Sequence, residues 1–328
     1  MLSRVLVLFL AFALISCAPR QATPTIQAAP ENARIERIFI ATQHGDVGSF
    51  RNFGNARQPE TRFFQADVSI PPSHVPGQIE TSNRPNPQEH FVLTDASELD
   101  RDGFLSALLA APAEQPNVGL FIHGYNTNIV RAGLRVAQLQ ADFDAPFPLV
   151  AFAWPSSGEL RGYVYDRDSA LFARDGLERL IRRIHARTGR KMVLVAHSMG
   201  TLLTMEALRQ MEVRGPGDVR RMVDMVVLVA PDIDPDVFRA QVARIGQLPQ
   251  PFLVLSAQQD NALRLSSLIT GTTRRLGTIT RSPQLEALGI TFVDVTGLGG
   301  EDAGLAHTIP FSSPRAMQEI MRQLEGGF

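Results

Sequence analysis

The sequence predicts an α/β protein built on a mostly parallel central sheet with helices on both faces. Three observations carry this. Short apolar runs such as "VGLFIHG" (118–124) and "LVAFAWP" (149–155) are apolar at nearly every position. A strand buried on both faces reads this way, and helices covering both sides of a parallel sheet produce it. These runs alternate with stretches of helical periodicity, the pattern of repeated βαβ units. Finally, "KMVLVAHSMGTLL" (191–203) passes from an apolar strand into a helical pattern across one abrupt turn that carries Ser198.

The chain opens on a targeting segment. Arg4 precedes the apolar stretch "VLVLFLAFALIS", about a dozen residues long, whereas a membrane span needs about 20. "LISC" ends it at Cys17, the only cysteine, so no internal disulfide is available. This ending resembles the lipobox of bacterial lipoproteins, in which the signal is cut before the Cys and its thiol is lipidated. The resemblance implies a signal peptide over 1–16, lipidation at Cys17 and a membrane anchor. Ala18, where an Asp would retain a lipoprotein in the inner membrane, implies the outer membrane, facing the periplasm. Residues 17–33 then read as the lipidated Cys and an extended, Pro- and Ala-rich tether, reaching up to about 50 Å at about 3.1 Å per residue.

Residues 34–328 read as one domain, with no internal repeat and no compositional break. "RIERIFIAT" (34–42) and "RFFQADVSI" (62–70) predict strands, and the Pro- and Asn-rich stretch 71–90 predicts a loop. "ELDRDGFLSALLAA" (98–111) predicts a helix. The strand at 118–124 precedes a helix over about 129–143, and the strand at 149–155 a helix over about 167–188. The Ser198 strand leads into a helix over about 199–213. "DMVVLVAPD" (224–232), "PFLVLSAQQD" (251–260) and "ITFVDVTG" (290–297) predict the remaining strands, and an amphipathic helix over 313–325 closes the chain. With 328 residues, 44% of them hydrophobic, the chain is long enough for a large core. Its net charge of −1 gives no reason to expect a nucleic-acid partner.

Ala196-His197-Ser198-Met199-Gly200 has the form of a nucleophile elbow, G-x-S-x-G, with Ala in place of the first Gly. The turn strains the Ser backbone and presents its Oγ clear of the sheet. An ordinary strand-to-helix junction with Ser198 as N-cap is the simpler alternative. A Ser hydroxyl needs a base. Of the seven histidines only His307, in "GLAHTIP", lies beyond Ser198, in a loop after the last strand. The acid belongs at a strand end between them. Asp260, ending "SAQQD", is the first candidate, and Asp232 or Asp234 in "APDID" the second. Two backbone N–H groups for an oxyanion are expected from Met199, after the Ser, and from Tyr125, after the sharp turn at His123-Gly124. His123 and His197 are expected to be packed structural residues. Tyr125, Asn126, Trp154 and Tyr165 fall on loops around this site. Asp166, Arg167 and Asp168 open a helix, where the dipole already favours carboxylates, and are not expected to be catalytic. "DIDPD" fails as a calcium loop, having Val237 and Ala243 where Gly and Glu are needed.

Together, "LFIHGYNT", "FAWPSSG", "YDRDSA", "VAHSMG", "APDID" and "GLAH" resemble a bacterial family of α/β-hydrolases of the esterase/lipase superfamily, over about residues 34–325. The resemblance implies a Ser-Asp-His hydrolase with Ser198 and His307 in the matching positions, and it favours Asp260 as the acid. The expected function is a serine hydrolase, a carboxylesterase for short-to-medium acyl esters, working without cofactor or metal. A small-molecule ester and the membrane are its expected partners. The alternatives are a lipase or peptidase of the same fold, or a membrane-tethered interaction protein without turnover. Segments 155–166 and 233–250 are too short for a large lid, so an open site is expected.

Overall fold

The computed structural model describes residues 26–45, 54, 56–159, 161–271, 274–298, 306–313, 315–316 and 318–319. Nine strands form one sheet in the order β3-β2-β1-β5-β4-β6-β7-β8-β9. They are β1 (Arg34–His44), β2 (Arg57–Ile70), β3 (Val92–Leu99), β4 (Asn117–Ile122), β5 (Leu149–Ala153), β6 (Lys191–His197), β7 (Val223–Val229), β8 (Phe252–Ser256) and β9 (Ile290–Asp294). From β1 to β9 every neighbouring pair is parallel, while β2 runs antiparallel to both β1 and β3. The main helices are α1 (Arg101–Ala110), α2 (Ile129–Phe143), α3 (Tyr163–Thr188), α4 (Met199–Arg214), α5 (Asp218–Met222), α6 (Pro235–Ile245), α7 (Asn261–Thr270), α8 (Pro283–Glu286) and α9 (Ile309–Ser312). The mostly parallel α/β architecture is the one expected.

The period of two in each strand divides the apolar residues between two cores. Phe39 and Ala41 of β1, with Val226 and Leu228 of β7, pack under α1, α3, α4 and α6 around Phe104, Leu177, Leu203 and Phe238. Ile38 and Ile40, with Met225, Val227 and Val229, pack on the opposite face with Ile129 and Val136 of α2 and Phe311 of α9. Each fully buried side chain of this size contributes about 1.5–3 kcal/mol, so both faces are needed. β4 and β5 are buried at every position because they lie in the middle of the sheet.

Three boundaries differ from those expected. β3 continues through Leu99, and the helix expected from residue 98 begins at Arg101, where the Asp100 side chain accepts from the Gly103 N–H. β3 is an edge strand whose second half is mostly polar, with Thr94, Asp95, Ser97 and Glu98, which masks its strand character. α3 begins at Tyr163, earlier than expected. The stretch expected as a tether over 17–33 is also not wholly free of the domain. Ile26 forms a bridge to Leu93, and the Gln27 N–H donates to the Leu93 carbonyl at 2.9 Å. Ile26 and Gln27 therefore lie against β3. Leu93 pairs with Val68, level with the start of β1, so the chain enters at the amino end of the parallel strands. The expected signal peptide, Cys17, the first part of the tether and most of the 313–325 helix lie outside the described residues. Among the described residues no helix is long and apolar enough to cross a membrane.

Candidate active site

Parallel register brings Ile122, Ala196, Leu228, Val254 and Phe292 to one level of the sheet. The loops that follow these strands meet at their carboxyl ends, where ligands of such sheets bind. Ser198 stands there between β6 and α4 with φ 52° and ψ −122°. This positive φ costs a non-glycine residue on the order of 1–3 kcal/mol and persists only where neighbours over-determine it. They do so here. The Ser198 N–H donates to the Val229 carbonyl at 2.9 Å, and its carbonyl accepts from the Thr201 N–H at 3.0 Å and the Thr201 hydroxyl at 2.6 Å.

Two glycines make the turn possible. A Cβ on Gly200 would lie 2.3 Å from the His123 carbonyl oxygen and 2.6 Å from that of Ile122. On Gly124 it would lie 2.9 Å from the Ser198 Cβ. Position 196 makes no such demand, and the Ala196 methyl is simply buried in the core. This is why the motif survives the loss of its first glycine.

Asp260 and His307, far apart in sequence, meet here. His307 Nδ1 donates to Asp260 Oδ2 at 2.8 Å, while Asp260 Oδ1 accepts from the Leu263 N–H at 3.0 Å and caps α7. Asp260 is fully buried. With Nδ1 carrying the proton, the Nε2 of a neutral His307 is left as the basic nitrogen. The His307 ring packs on that of His197, the residue preceding Ser198, with centroids 4.7 Å apart, and its carbonyl accepts from His197 Nε2 at 3.2 Å.

The other candidate groups have different tasks. Asp232 accepts from the Tyr163 hydroxyl at 2.9 Å and from the Ser266 hydroxyl, and its Oδ1 is 3.0 Å from Arg275 Nε in a buried ion pair. Asp234 caps α6, accepting from the Asp236 and Val237 N–H groups. His123 stacks on Trp154 at 4.8 Å, donates from Nδ1 to the Gly124 carbonyl and accepts on its own carbonyl from Trp154 Nε1. Burial pushes its pKa down to about 3, so it is neutral. Burial, followed by the neighbouring His307, likewise holds His197 well below the ordinary histidine range. Neither ring is available as a base at neutral pH.

Met199 is the first residue of α4, where a backbone N–H has no partner four residues earlier in its own helix. Tyr125 follows Gly124, and its ring meets that of Tyr163 edge-on at 5.6 Å. Burial, with Asp166 nearby, raises the Tyr125 phenol to about 12, so it stays protonated. Asn126 lies in the left-handed region at φ 54°.

One group in the site has a part that the sequence reading missed. Asp166, in the first turn of α3, is fully buried. Its Oδ2 accepts from the Asn126 N–H at 3.1 Å and the Ser156 hydroxyl at 2.6 Å, and its Oδ1 from the Ser157 N–H at 2.6 Å. Among the described residues no group of three or more His, Cys, Asp or Glu side chains is arranged to hold a metal.

Several solved structures are similar. Lipase B of Aspergillus fumigatus aligns at 14% identity and a TM-score of 0.40 over 61% of this chain and 50% of that one, so the chain spans half the length of that lipase. Esterase B of Lactobacillus rhamnosis, solved with a tributyrin phosphonate, aligns at 12% identity and 0.41 over 99% and 93%. A Xanthomonas campestris protein described as a serine hydrolase without a lid aligns at 11% identity and 0.38 over 92% and 95%. Likenesses this distant carry no argument about chemistry. No curated protein matches the chain in sequence. The family model described as alpha/beta hydrolase of unknown function (DUF900) matches residues 105–325, and the chain belongs to that family.

Proposed function

We propose that the protein is a serine hydrolase acting on carboxylic esters, with Ser198 as nucleophile, His307 as base and Asp260 as the acid that orients it. The observation carrying this reading is the Asp260–His307 hydrogen bond of 2.8 Å, with the His307 ring against that of His197, the residue before a serine held at φ 52°. A strained serine without a base next to it would have little chemical use.

In this reading Ser198 Oγ bonds to the ester carbonyl carbon as its proton passes to His307 Nε2. The N–H groups of Met199 and Tyr125 receive the oxyanion. The C–O bond to the alcohol then breaks, and the alcohol leaves with the proton from His307. Water repeats the sequence on the acyl-enzyme and releases the acid. Asp260 holds the ring in the Nδ1–H form throughout.

Short-to-medium acyl esters fit a site whose flanking loops are short. A second reading, action on aggregated lipid esters, draws on α7, which leaves Leu265, Leu268 and Ile269 at 59%, 80% and 50% exposure. The cell-envelope placement rests on Cys17 and "LISC" alone. The deciding experiment is labelling with a fluorophosphonate, followed by peptide mapping. Label on Ser198, absent from Ser198→Ala, is the expected result. An unlabelled wild-type protein that hydrolyses no ester would favour the interaction-protein alternative.

A further inference from the structure

We infer that Asp166 is a positioning residue for the oxyanion-binding loop, setting the direction of the Tyr125 N–H through the backbone of Asn126. The inference rests on the serine-hydrolase reading of Ser198 and adds a residue to it.

The loop after β4 carries Tyr125, Asn126 and Thr127, and the loop after β5 carries Ser156 and Ser157. Neither belongs to a helix or strand that would fix its backbone. Asp166 joins them, taking the Asn126 N–H and the Ser156 hydroxyl on one oxygen and the Ser157 N–H on the other. The Ser156 oxygen in turn accepts from the Thr127 N–H and the Gly158 N–H, each at 3.3 Å. Both residues following Tyr125 are thus tied to one carboxylate–hydroxyl pair.

The pair is buried, with Asp166 at 0% and Ser156 at 1% exposure. Among the described residues no Arg or Lys makes an ion pair with Asp166. A buried carboxylate without a cation is unusual unless its hydrogen bonds define something. Here they define the path of the peptide that follows Tyr125. An oxyanion donor acts only if its N–H points at the place where charge develops; the Tyr125 N–H lies in the preceding peptide, and fixing the peptide on the other side of Tyr125 limits the rotations about its φ and ψ that would move the donor off target. Asn126 turns the loop at φ 54°, a left-handed conformation that Asn adopts more readily than most residues.

The chemistry requires a carboxylate. Three donors converge on two oxygens, and both oxygens accept. An amide of the same size has one acceptor oxygen, and its NH2 would face either the Asn126 or the Ser157 N–H. Asp166→Asn therefore removes the brace with almost no change in volume. Ser156→Ala removes the hydroxyl relay and keeps the carboxylate. Asp168→Asn, an exposed carboxylate of the same helical turn, is the control.

The test measures kcat, KM, the rate of fluorophosphonate labelling of Ser198, and amide hydrogen exchange at Asn126 and Ser157, each per folded protein. Removing an oxyanion donor costs about 10²–10³ in kcat, and misaligning one should cost about 10- to 100-fold. We expect that loss in Asp166→Asn with KM nearly unchanged, slower labelling, and faster exchange at both amides. Ser156→Ala should show a smaller loss, and the double variant should lose less than the product of the two. Asp168→Asn should match wild type. If Asp166→Asn lowers only the unfolding temperature and labels at the wild-type rate, Asp166 is a structural brace and the inference fails alone. If Asp166→Asn does not fold, the Ser156→Ala kinetics decide, and wild-type kcat there overturns it. Absence of label on wild-type Ser198 removes the underlying reading and this inference with it.

Discussion

Asp260 binds His307 with one carboxylate oxygen and caps helix α7 with the other. The two tasks respond differently to substitution. In Asp260→Asn the single acceptor oxygen can keep the cap, since Asn is a good N-cap. The NH2 then faces His307 Nδ1, which must become an acceptor, leaving the proton on Nε2 in the wrong tautomer. We expect kcat to fall by about 10⁴ with little change in stability. Asp260→Ala loses the cap as well and should cost about 1 kcal/mol more in unfolding free energy. The reverse pattern is expected at Asp232. Its partner Arg275 is 1% exposed, and breaking a buried ion pair costs about 3–5 kcal/mol. Asp232→Asn should thus show a thermal defect and retain most activity per folded molecule. A well-folded but inactive Asp232→Asn beside an active Asp260→Asn would exchange the two assignments.

The strain at Ser198 and its hydroxyl can be tested separately. Ser198→Ala keeps the Cβ and the strain and should lower kcat by about 10⁶. Ser198→Gly removes both hydroxyl and strain. Glycine adopts φ 52° with ψ −122° freely, although its unfolded state gains entropy. The strain, at about 1–3 kcal/mol, exceeds that gain of roughly 0.5–1 kcal/mol. The glycine variant should be inactive and should melt above the alanine variant. Equal melting temperatures would mean the strain only matches the glycine cost of roughly 0.5–1 kcal/mol.

The central strands can be read from the sequence because their burial is written into single continuous runs. "VGLFIHG", "MVLVAHS" and "PFLVLSAQQD" overlap β4, β6 and β8 within a few residues. The elbow is legible for a related reason, since a tight turn between two such elements leaves small residues at fixed offsets. The approach of Asp260 to His307 is legible only by position, as the end of one strand and the loop beyond another. β3 is not legible because an edge strand with a polar face shares its pattern with a loop or a helix start. The brace at Asp166 is less legible still. It joins Asn126, Ser156 and Ser157 from loops that only the sheet register brings together, and "YDRDSA" by itself reads as an ordinary acidic first turn.

The buried histidines predict acid sensitivity. His123, brought down by burial to about 3 from the ordinary histidine value of about 6.5, is neutral when folded and protonates more readily when unfolded. The unfolded chain therefore binds more protons between these values, and stability falls as pH is lowered from about 6.5 toward 3. For His123 the full effect is on the order of 5 kcal/mol. His197 and His44, also lowered by burial, act in the same direction. His74 opposes them, because Asp142 and Glu80 outweigh its burial and raise it; its contribution is present in acid and lost as pH rises through its folded value. Three lowered groups outnumber one raised, so the unfolding free energy should drop between pH 7 and pH 4. His123→Asn keeps an N–H donor toward Gly124 and removes the titration, and it should flatten the slope. An unchanged slope would take His123 out of the linkage.

Cys17→Ser should move the protein from the membrane to the soluble fraction, checked by fractionation with detergent extraction. Wild type found wholly soluble would end the lipoprotein reading. The strand order adds a second expectation. The chain joins the domain beside Leu93, at the amino end of the parallel strands, while Ser198 lies at their carboxyl end. An anchor entering there leaves the catalytic end turned from the membrane. Anchored and released enzyme should hydrolyse a water-soluble ester at equal kcat/KM. A large gain on release would show that the anchor occludes the site.

The exposed leucines of α7 set two outcomes against each other. A lid that opens on lipid would give a jump in rate at the micelle threshold and a preference for long acyl chains. Such a lid must move, and α7 is poorly placed to do so. Its N-cap is Asp260 itself, so any swing would pull the carboxylate from His307. Its inward face is fastened by Ser266, which meets Tyr163, Asp232 and Arg275. Leu265, Leu268 and Ile269 thus form a fixed apolar ledge. A fixed ledge helps only the methylenes that reach it, at about 0.8 kcal/mol per CH2 actually buried. We expect kcat/KM to rise over the first few methylenes of an acyl series, level off, and show no discontinuity at the threshold. Leu268→Ser should lower the plateau by a few-fold and leave acetate hydrolysis unchanged. A maximum at palmitate with a sharp rise at the threshold would mean that α7 moves without taking Asp260 from His307.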